Sequence, residues 1–344
     1  MERKINWGII GAGGIARTFA RALSSSNTGW LVAIASREQK IADAFANDFK
    51  IAKAHGNYAS LLSDKDVNAI YIATPHPMHA EWTIKAAQAG KHVLVEKPIA
   101  VNEAECQSMI DAAAASNVFL MEAFMYRCHP QTQKLVELIR DKKIGEVRMI
   151  QATFGFHAGF DPQSRLFNRA LAGGGIMDVG CYPVSMSRLI AGAATGKEFA
   201  DPTDVKGEAH LGKSGVDEWA IATLKFPGDI LAQISTSVSV NQDNVVKIFG
   251  SEGWIRLPNP WLYDSANAEV GKIMVYRHNE SPNEVSIEAS GTSFTYEADA
   301  AGAAILSHKN QTPAMSWNDS LGNTRALDQW RQSVGLVYDF EKRR

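Results

Sequence analysis

The sequence predicts an α/β domain built on a doubly wound parallel sheet, followed by an α+β domain with a large, mainly antiparallel open sheet. Three observations predict it. Through about residue 126, short apolar, partly β-branched runs alternate with segments of helical spacing, the pattern of βα crossovers. From Val147 that alternation gives way to several strand-like runs in succession. A glycine-rich turn, Gly11-Ala12-Gly13-Gly14-Ile15-Ala16, directly follows the first apolar run and opens a helix. At 344 residues the chain is long for one core, so two domains are expected, 1–126 and 127–344.

The N-terminus, Met1 to Gly8, leads at once into a strand, Ile5 to Ile10, and the helix after the glycine turn runs to about Leu23. Gly11 permits the tight turn, Gly13 lets a pyrophosphate approach the backbone, and Ala16 allows close packing of helix on strand. With Gly14 and Ile15 these residues form a G-x-G-x-x-A fingerprint, so the first domain is read as a Rossmann dinucleotide-binding domain. The helix start then offers unpaired N–H groups to phosphate. The second strand, Leu31 to Ala35, ends at Ser36-Arg37-Glu38, where NAD-specific sites usually carry an acid for the ribose hydroxyls. Here the Ser36 hydroxyl can donate to a 2′-phosphate and Arg37 can pair with its charge, which favours NADP(H) over NAD. The competing reading leaves Arg37 solvated and gives the ribose diol to Glu38.

Helices are expected at Gln39 to Phe49 and Tyr58 to Leu62. Ala69 to Ala73, His79 to Ala89 and His92 to Val95 then read as strand, helix and strand, the helix stopping at Gly90. Parallel strands joined this way place ligands beyond their carboxyl ends, where Thr74-Pro75-His76 and Glu96-Lys97-Pro98 fall. Thr74, Pro75, His79, Glu96 and Lys97 are therefore candidate cofactor contacts, and a functional lysine is expected at Lys97. Asn102 caps a helix to Ser116, with Glu103 and Glu105 in its first turn. Phe119 to Ala123 closes the sheet as a sixth strand, and Gln131 to Asp141 leaves the domain as a helix. Beyond it, strands are expected at Arg148 to Phe156, Val205 to Leu211, Glu218 to Phe226, Ile230 to Val238, Val245 to Phe249 and Trp254 to Leu257. Pro227-Gly228-Asp229 and Ser251-Glu252-Gly253 supply hairpin turns. Helices are expected at Ile176 to Ile190 and Leu321 to Val334.

Gly173-Gly174-Gly175 precedes the first of these helices. Three consecutive glycines cost backbone entropy and suggest a close approach to another group. Asp178 and Tyr182, four apart, share one face of a helix. Alcohol oxidation needs the hydroxyl proton removed as hydride departs, and a tyrosine with an ordinary pKa of ~10 is a poor base at neutral pH. A nearby ammonium stabilises the phenolate. The expected catalytic set is Tyr182 as acid/base, Lys97 as its activator and a donor to the substrate oxygen, and Asp178 orienting substrate hydroxyls. Each also has an ordinary reading: Lys97 as a solvated residue, Tyr182 as core, Asp178 as a helix-surface charge.

Composition narrows the partners. Thirty-five Lys and Arg stand against 37 Asp and Glu, a net charge of −2, which gives no field to hold nucleic acid or an anionic membrane. No apolar run approaches the roughly 18 to 20 residues of a membrane span, and no secretory leader pattern is present, so a cytoplasmic location is expected. Cys106, Cys128 and Cys181 are widely spaced and odd in number, which excludes a disulfide framework or zinc ribbon. His76 and His79 lack a Cys or carboxylate at ligand spacing, so no metal is expected.

The fingerprint, the run Thr74-Pro75 to His79, the run Gly90-Lys91-His92-Val93 to Glu96-Lys97-Pro98, and Gly173 to Tyr182 resemble the glucose–fructose oxidoreductase/inositol dehydrogenase (Gfo/Idh/MocA) family over nearly the whole chain. The resemblance implies an NAD- or NADP-binding first domain, a substrate-binding and oligomerising second domain, a catalytic lysine at Lys97 and a cis Lys97–Pro98 bond. Tyrosine at 182, where many relatives have histidine, and histidine at 76, where many have asparagine, look more like the dimeric dihydrodiol dehydrogenases and NADP-dependent D-xylose dehydrogenases. So do Gly215-Val216-Asp217-Glu218 and Phe249-Gly250-Ser251-Glu252-Gly253. That branch implies a homodimer through the open sheet. By position, Arg127, His129, His157, Phe160 and Arg165 are further candidates to line the substrate site. The expected activity is NADP-dependent hydride transfer to or from a sugar or cyclic polyol hydroxyl, as in an aldose 1-dehydrogenase or dihydrodiol dehydrogenase. The alternatives are an NADPH-dependent reductase of a keto or anhydro sugar and a non-catalytic NADP- and sugar-binding sensor.

Overall fold

The computed structural model describes residues 4–258, 260–261 and 271–341; Met1 to Arg3, read above as the lead into the first strand, lie outside them. The chain divides into two compact units, one of Met1–Cys128 with Gly291–Leu321, the other of His129–Ser290 with Gly322–Arg344. Among the described residues no helix is long and apolar enough to cross a membrane.

In the first unit the elements run β1 (Ile5–Ile10), α1 (Gly14–Leu23), β2 (Gly29–Ala35), α2 (Gln39–Phe49), β3 (Lys53–His55), α3 (Tyr58–Leu62), β4 (Ala69–Ile72), α4 (His79–Gln88), β5 (His92–Glu96), α5 (Glu103–Ala115), β6 (Leu120–Ala123) and α6 (Met125–Cys128). All sheet pairings are parallel, in the order β3-β2-β1-β4-β5-β6. This is the doubly wound order, and its switch point lies between β1 and β4. The central strands are buried throughout, as their unbroken apolar runs require. Strand β3 escapes a pattern reading because three half-buried residues carry too little periodicity.

The second unit contains α7 (Pro130–Arg140), β7 (Val147–Gly155), a π-turn (Ile176–Gly180), α8 (Cys181–Ala194), β8 (Asp204–Leu211), β9 (Asp217–Phe226), β10 (Ile230–Ser237), β11 (Val245–Gly250), β12 (Gly253–Pro258), β13 (Lys272–Arg277) and β14 (Asn283–Ser286). The sheet order is β14-β13-β12-β11-β7-β10-β9-β8, antiparallel except for β7 with β10. Along β9 and β10 buried and exposed residues alternate, so one face is covered and the other open. The helix expected as one piece from Ile176 begins instead as the π-turn. Strands β13 and β14 were not expected.

Two helices close the chain, α9 (Ser293–Leu306) and α10 (Trp317–Ser333). Helix α9 corrects the expected division at residue 126, because residues 291–321 return to the first unit. The reason is a set of distant contacts. The Asp299 carboxylate accepts from Ser26 Oγ at 2.6 Å, Thr28 Oγ1 at 2.9 Å and the Asn27 and Thr28 amides at 3.0 and 3.1 Å. It thereby fixes the turn between α1 and β2.

Candidate active site

In the first unit the glycine turn has the shape its sequence demands. Gly11 has φ +98°, and a Cβ there would lie 2.7 Å from the Ala73 carbonyl oxygen, so both conformation and contact exclude a side chain. At Gly13 and Gly14 a Cβ would meet nothing within 4 Å. Packing does not require those two glycines; what they keep clear is the approach to the N-terminus of α1, which carries no side-chain cap and no acidic residue in its first turn. Ala16 is fully buried against the sheet. At the end of β2, Ser36 is buried and Arg37 is exposed, and among the described residues Arg37 has no ion-pair partner, whereas Glu38 pairs with Lys40 at 3.1 Å. Thr74 Oγ1 is buried with no hydrogen-bond partner among the described residues. A pyrophosphate-bearing dinucleotide fits this set: an open glycine turn, an uncapped helix start, a guanidinium and an orphaned hydroxyl.

His79 takes a different part from the one expected. Its ring is fully buried, with Nε2 2.9 Å from the Thr74 carbonyl and Nδ1 2.9 Å from the Pro98 carbonyl, so it braces the loop after β4 to the turn after β5 instead of presenting itself to a cofactor. Burial, with the Lys97 charge, pushes its pKa below the ordinary histidine value against the pull of those carbonyls. The Lys97–Pro98 bond is cis. Glu96 is buried at the end of β5, where it accepts from Tyr71 Oη and from the Lys97 amide at 3.2 Å. Glu122, one strand over, accepts from the Ile99 amide at 2.9 Å. The lysine turn is thus held on both sides of Lys97 by buried carboxylates.

In the second unit Asp178 lies in the π-turn and Tyr182 in the first turn of α8. The Asp178 carboxylate, 3% exposed, pairs with Arg165 Nη1 at 2.5 Å, while Arg165 itself is 54% exposed. The Tyr182 ring is packed edge-on against Phe154 and Trp261, with centroids at 5.1 and 5.7 Å. Phe160 is half exposed and meets Phe167 edge-on. His157 Nδ1 lies 2.7 Å from the Ser239 carbonyl.

Two further residues expected to line the substrate site are buried in internal contacts. Arg127 belongs to the first unit, buried in an ion pair with Asp319, and its Nε donates to the Ala314 carbonyl at 3.1 Å. His129 is buried as the N-cap of α7, its Nδ1 accepting from the Gln131 amide at 3.1 Å. A buried counter-charge and a helix start thus engage the two side chains.

The comparisons with known proteins follow the same architecture. Residues 5–124 match the oxidoreductase family with an NAD-binding Rossmann fold, and residues 132–256 match the GFO/IDH/MocA C-terminal domain. Trans-1,2-dihydrobenzene-1,2-diol dehydrogenase of Xenopus tropicalis is 33% identical over 336 residues, 96% of this chain and 98% of that protein. The chain belongs to the GFO/IDH/MocA oxidoreductase family. Among solved structures, a 3-ketoreductase from Actinomadura kijaniata in complex with TDP-benzene and NADP superposes with a TM-score of 0.84 at 26% identity, covering 96% of this chain and 98% of that one. An aldose-aldose oxidoreductase from Caulobacter crescentus, complexed with glycerol, gives a TM-score of 0.86 at 25% identity, covering 97% and 98%. As a member of the GFO/IDH/MocA family the protein is an oxidoreductase with a nucleotide-binding Rossmann domain.

Sequence reasoning gave no role to Glu122 or to Asp217. Glu122 lies inside an apolar strand, where a carboxylate is unusual enough to have been a signal. The run Gly215-Val216-Asp217-Glu218 held the only sequence trace of Asp217. The register shift between His210 and Leu211, which brings Leu211 opposite Asp217, removes it from the simple alternation of β9.

Proposed function

We propose that this protein transfers hydride between NADP and a hydroxyl-bearing carbon of a sugar, cyclic polyol or vicinal diol, with Tyr182 as acid/base. The observation that carries the reading is the environment of Asp178 and Tyr182: a buried carboxylate fixed by Arg165, one turn before a tyrosine ring fixed by two aromatic neighbours. Gly11, Gly13, Gly14, Ile15 and Ala16 would hold the pyrophosphate, Ser36 and Arg37 the 2′-phosphate, and Thr74, Pro75 and Lys97 the nicotinamide half. When bound, the nicotinamide accepts or supplies the hydride. Tyr182 Oη takes the proton of the substrate hydroxyl in oxidation and returns it in reduction. The Lys97 ammonium stabilises the phenolate and donates to the substrate oxygen. Asp178 accepts a neighbouring substrate hydroxyl, and the ion pair with Arg165 holds that carboxylate in place. Phe160 and His157 offer an apolar face and a polar edge suited to a sugar or cyclic diol.

The diol dehydrogenase and aldose oxidoreductase relatives support the substrate class. The NADP-bound ketoreductase supports the cofactor and the reductive direction, for which the same residues serve. The test is NADPH formation across pentoses, hexoses, anhydro sugars, inositols and cyclic trans-diols, beside Tyr182→Phe. Turnover by the wild type and a loss of about 10²–10⁴-fold in the variant, with NADPH still bound, are expected; near-normal turnover by Tyr182→Phe would refute the assignment.

We further infer a homodimer through the open sheet face. Trp219, Ile221, Leu231 and Met149 are exposed there, and Trp254 stacks on Tyr276 at 3.9 Å. An apolar patch across neighbouring strands is unusual on a monomer. Light scattering should give twice the mass of one chain, reduced by Ile221→Asp; a monomeric wild type rejects this part.

A further inference from the structure

The glycine loop before the π-turn is fastened from four directions, and the central fastening is a buried carboxylate that no step of the mechanism uses. Asp217, at the start of β9, is fully buried, and its Oδ2 accepts the Ile176 amide at 2.6 Å. Thr236 Oγ1, at the end of β10, donates to the Gly175 carbonyl at 3.0 Å. Tyr338 Oη donates to the Gly173 carbonyl at 2.7 Å. The Gly174 amide donates to the Leu166 carbonyl at 2.9 Å, and the Gly174 carbonyl in turn accepts the Asp178 amide at 3.1 Å.

The carboxylate leaves no room for a side chain at Gly174. A Cβ on Gly174, whose φ is +116°, would lie 2.0 Å from Asp217 Oδ1, and one on Gly175 would lie 3.3 Å from Oδ2. A Cβ on Gly173 would meet the Arg165 and Leu166 carbonyls, each at 2.7 Å. Asp217 therefore sits inside a cup of backbone made by Gly173 to Gly175, the last of which stands three residues before Asp178 and seven before Tyr182.

We propose that Asp217 is a positioning residue: its carboxylate latches the glycine loop and so fixes the register of the π-turn that presents Asp178 and Tyr182. This rests on the reading of Tyr182 as the acid/base. The latch is costly to maintain. Among the described residues Oδ1 has no hydrogen-bond partner, and burial pushes the carboxyl up to about 7. Arg331 from α10 and Tyr338 beyond it are the titratable groups that act on it, the guanidinium favouring its ionised form. A buried acid with one unmet oxygen is a poor device for stability alone. Its placement makes sense as the part that holds a reacting side chain, where a displacement of about 1 Å costs on the order of 10²-fold in rate.

The test compares wild type, Asp217→Ala, Asp217→Asn and Gly174→Ala by hydrogen exchange of the segment 173–182, by kcat and KM, and by NADPH affinity, with Tyr182→Phe alongside. Asp217→Ala should speed exchange of 173–182 at least tenfold while the rest of the second unit stays protected. It should also lower kcat ~10–100-fold with NADPH affinity unchanged. Asp217→Asn keeps an acceptor oxygen for the Ile176 amide and should restore much of the protection. Gly174→Ala, which displaces the carboxylate from the other side, should copy Asp217→Ala and covers the case in which that variant does not fold. Unchanged exchange at 173–182, or protection lost equally across the whole second unit, overturns the proposal. If Tyr182→Phe keeps its turnover while the exchange pattern holds, the latch stands and the acid/base reading falls instead.

Discussion

The turn that carries Lys97 and the loop that leads to Asp178 and Tyr182 are both held by buried carboxylates, yet they are built from different distances along the chain. Glu96, His79 and Glu122 brace the lysine turn from within 25 residues of it, all on neighbouring strand ends or the intervening helix. The glycine loop is fastened by Asp217, Thr236 and Tyr338, 41, 61 and 165 residues away from the atoms they bind. A parallel βαβ unit brings successive strand ends together by its own topology, so a site there needs only local residues. A loop entering a helix over a mainly antiparallel sheet has no such guarantee, and its geometry must be imposed by whichever strands and tail reach it.

The comparison can be broken most forcefully at Lys97. Lys97→Met should lower kcat by about 10²–10⁴-fold and leave the melting temperature close to that of wild type, since support for the acid–base step is lost without a change in the turn. A normal kcat would mean that the lysine turn is only structural.

A second effect belongs to the glycine loop. The folded-state pKa of Asp217, about 7, lies above the ordinary 3.8, so between those values the folded state holds more protons than the unfolded one. Its contribution is therefore most favourable at low pH and is lost as pH rises through that window, by an amount on the order of 4 kcal/mol at most. Urea midpoints of Asp217→Asn relative to wild type should rise as pH goes from 5 to 8. A pH-independent difference would show that the carboxyl titrates as an ordinary acid.

His79 sharpens the contrast by testing a local brace. Replacing it with alanine removes contacts to two carbonyls and opens a buried void, at a cost of about 2–4 kcal/mol, read as a lower unfolding midpoint of the first unit. Exchange at 173–182 should not change. The smallest effect is at Arg37, where Arg37→Ala should weaken NADP about 10–150-fold and leave NAD nearly untouched, the difference being one exposed charge-assisted contact of roughly 1.5–3 kcal/mol. An unaltered cofactor preference would return the ribose to Glu38.

How far the sequence could be read follows the same division. Strand β1 and helices α2 and α3 fall where residue pattern puts them, because buried parallel strands and capped helices announce themselves through local runs, glycines and an Asn cap. Gly11 to Ala16 and Lys97-Pro98 were equally plain, as local motifs whose spacing is their meaning. Arg127, His129 and His79 were visible as residues but their internal partners were not, since nothing local says that Arg127 will find Asp319 192 residues on.

By itself, then, the sequence determined the doubly wound sheet, the dinucleotide turn and the position of Lys97 at a strand end. These depend on interactions within a few tens of residues, where side-chain period and turn chemistry are sufficient. Only the tertiary structure decided that residues 291–321 join the first unit through Asp299, that the helix toward Tyr182 starts as a π-turn, and that Asp217 fills the glycine cup. Each of these rests on a buried polar group meeting a backbone far away in the chain, and such a pairing is chosen by which surfaces the fold brings together, not by any pattern along it.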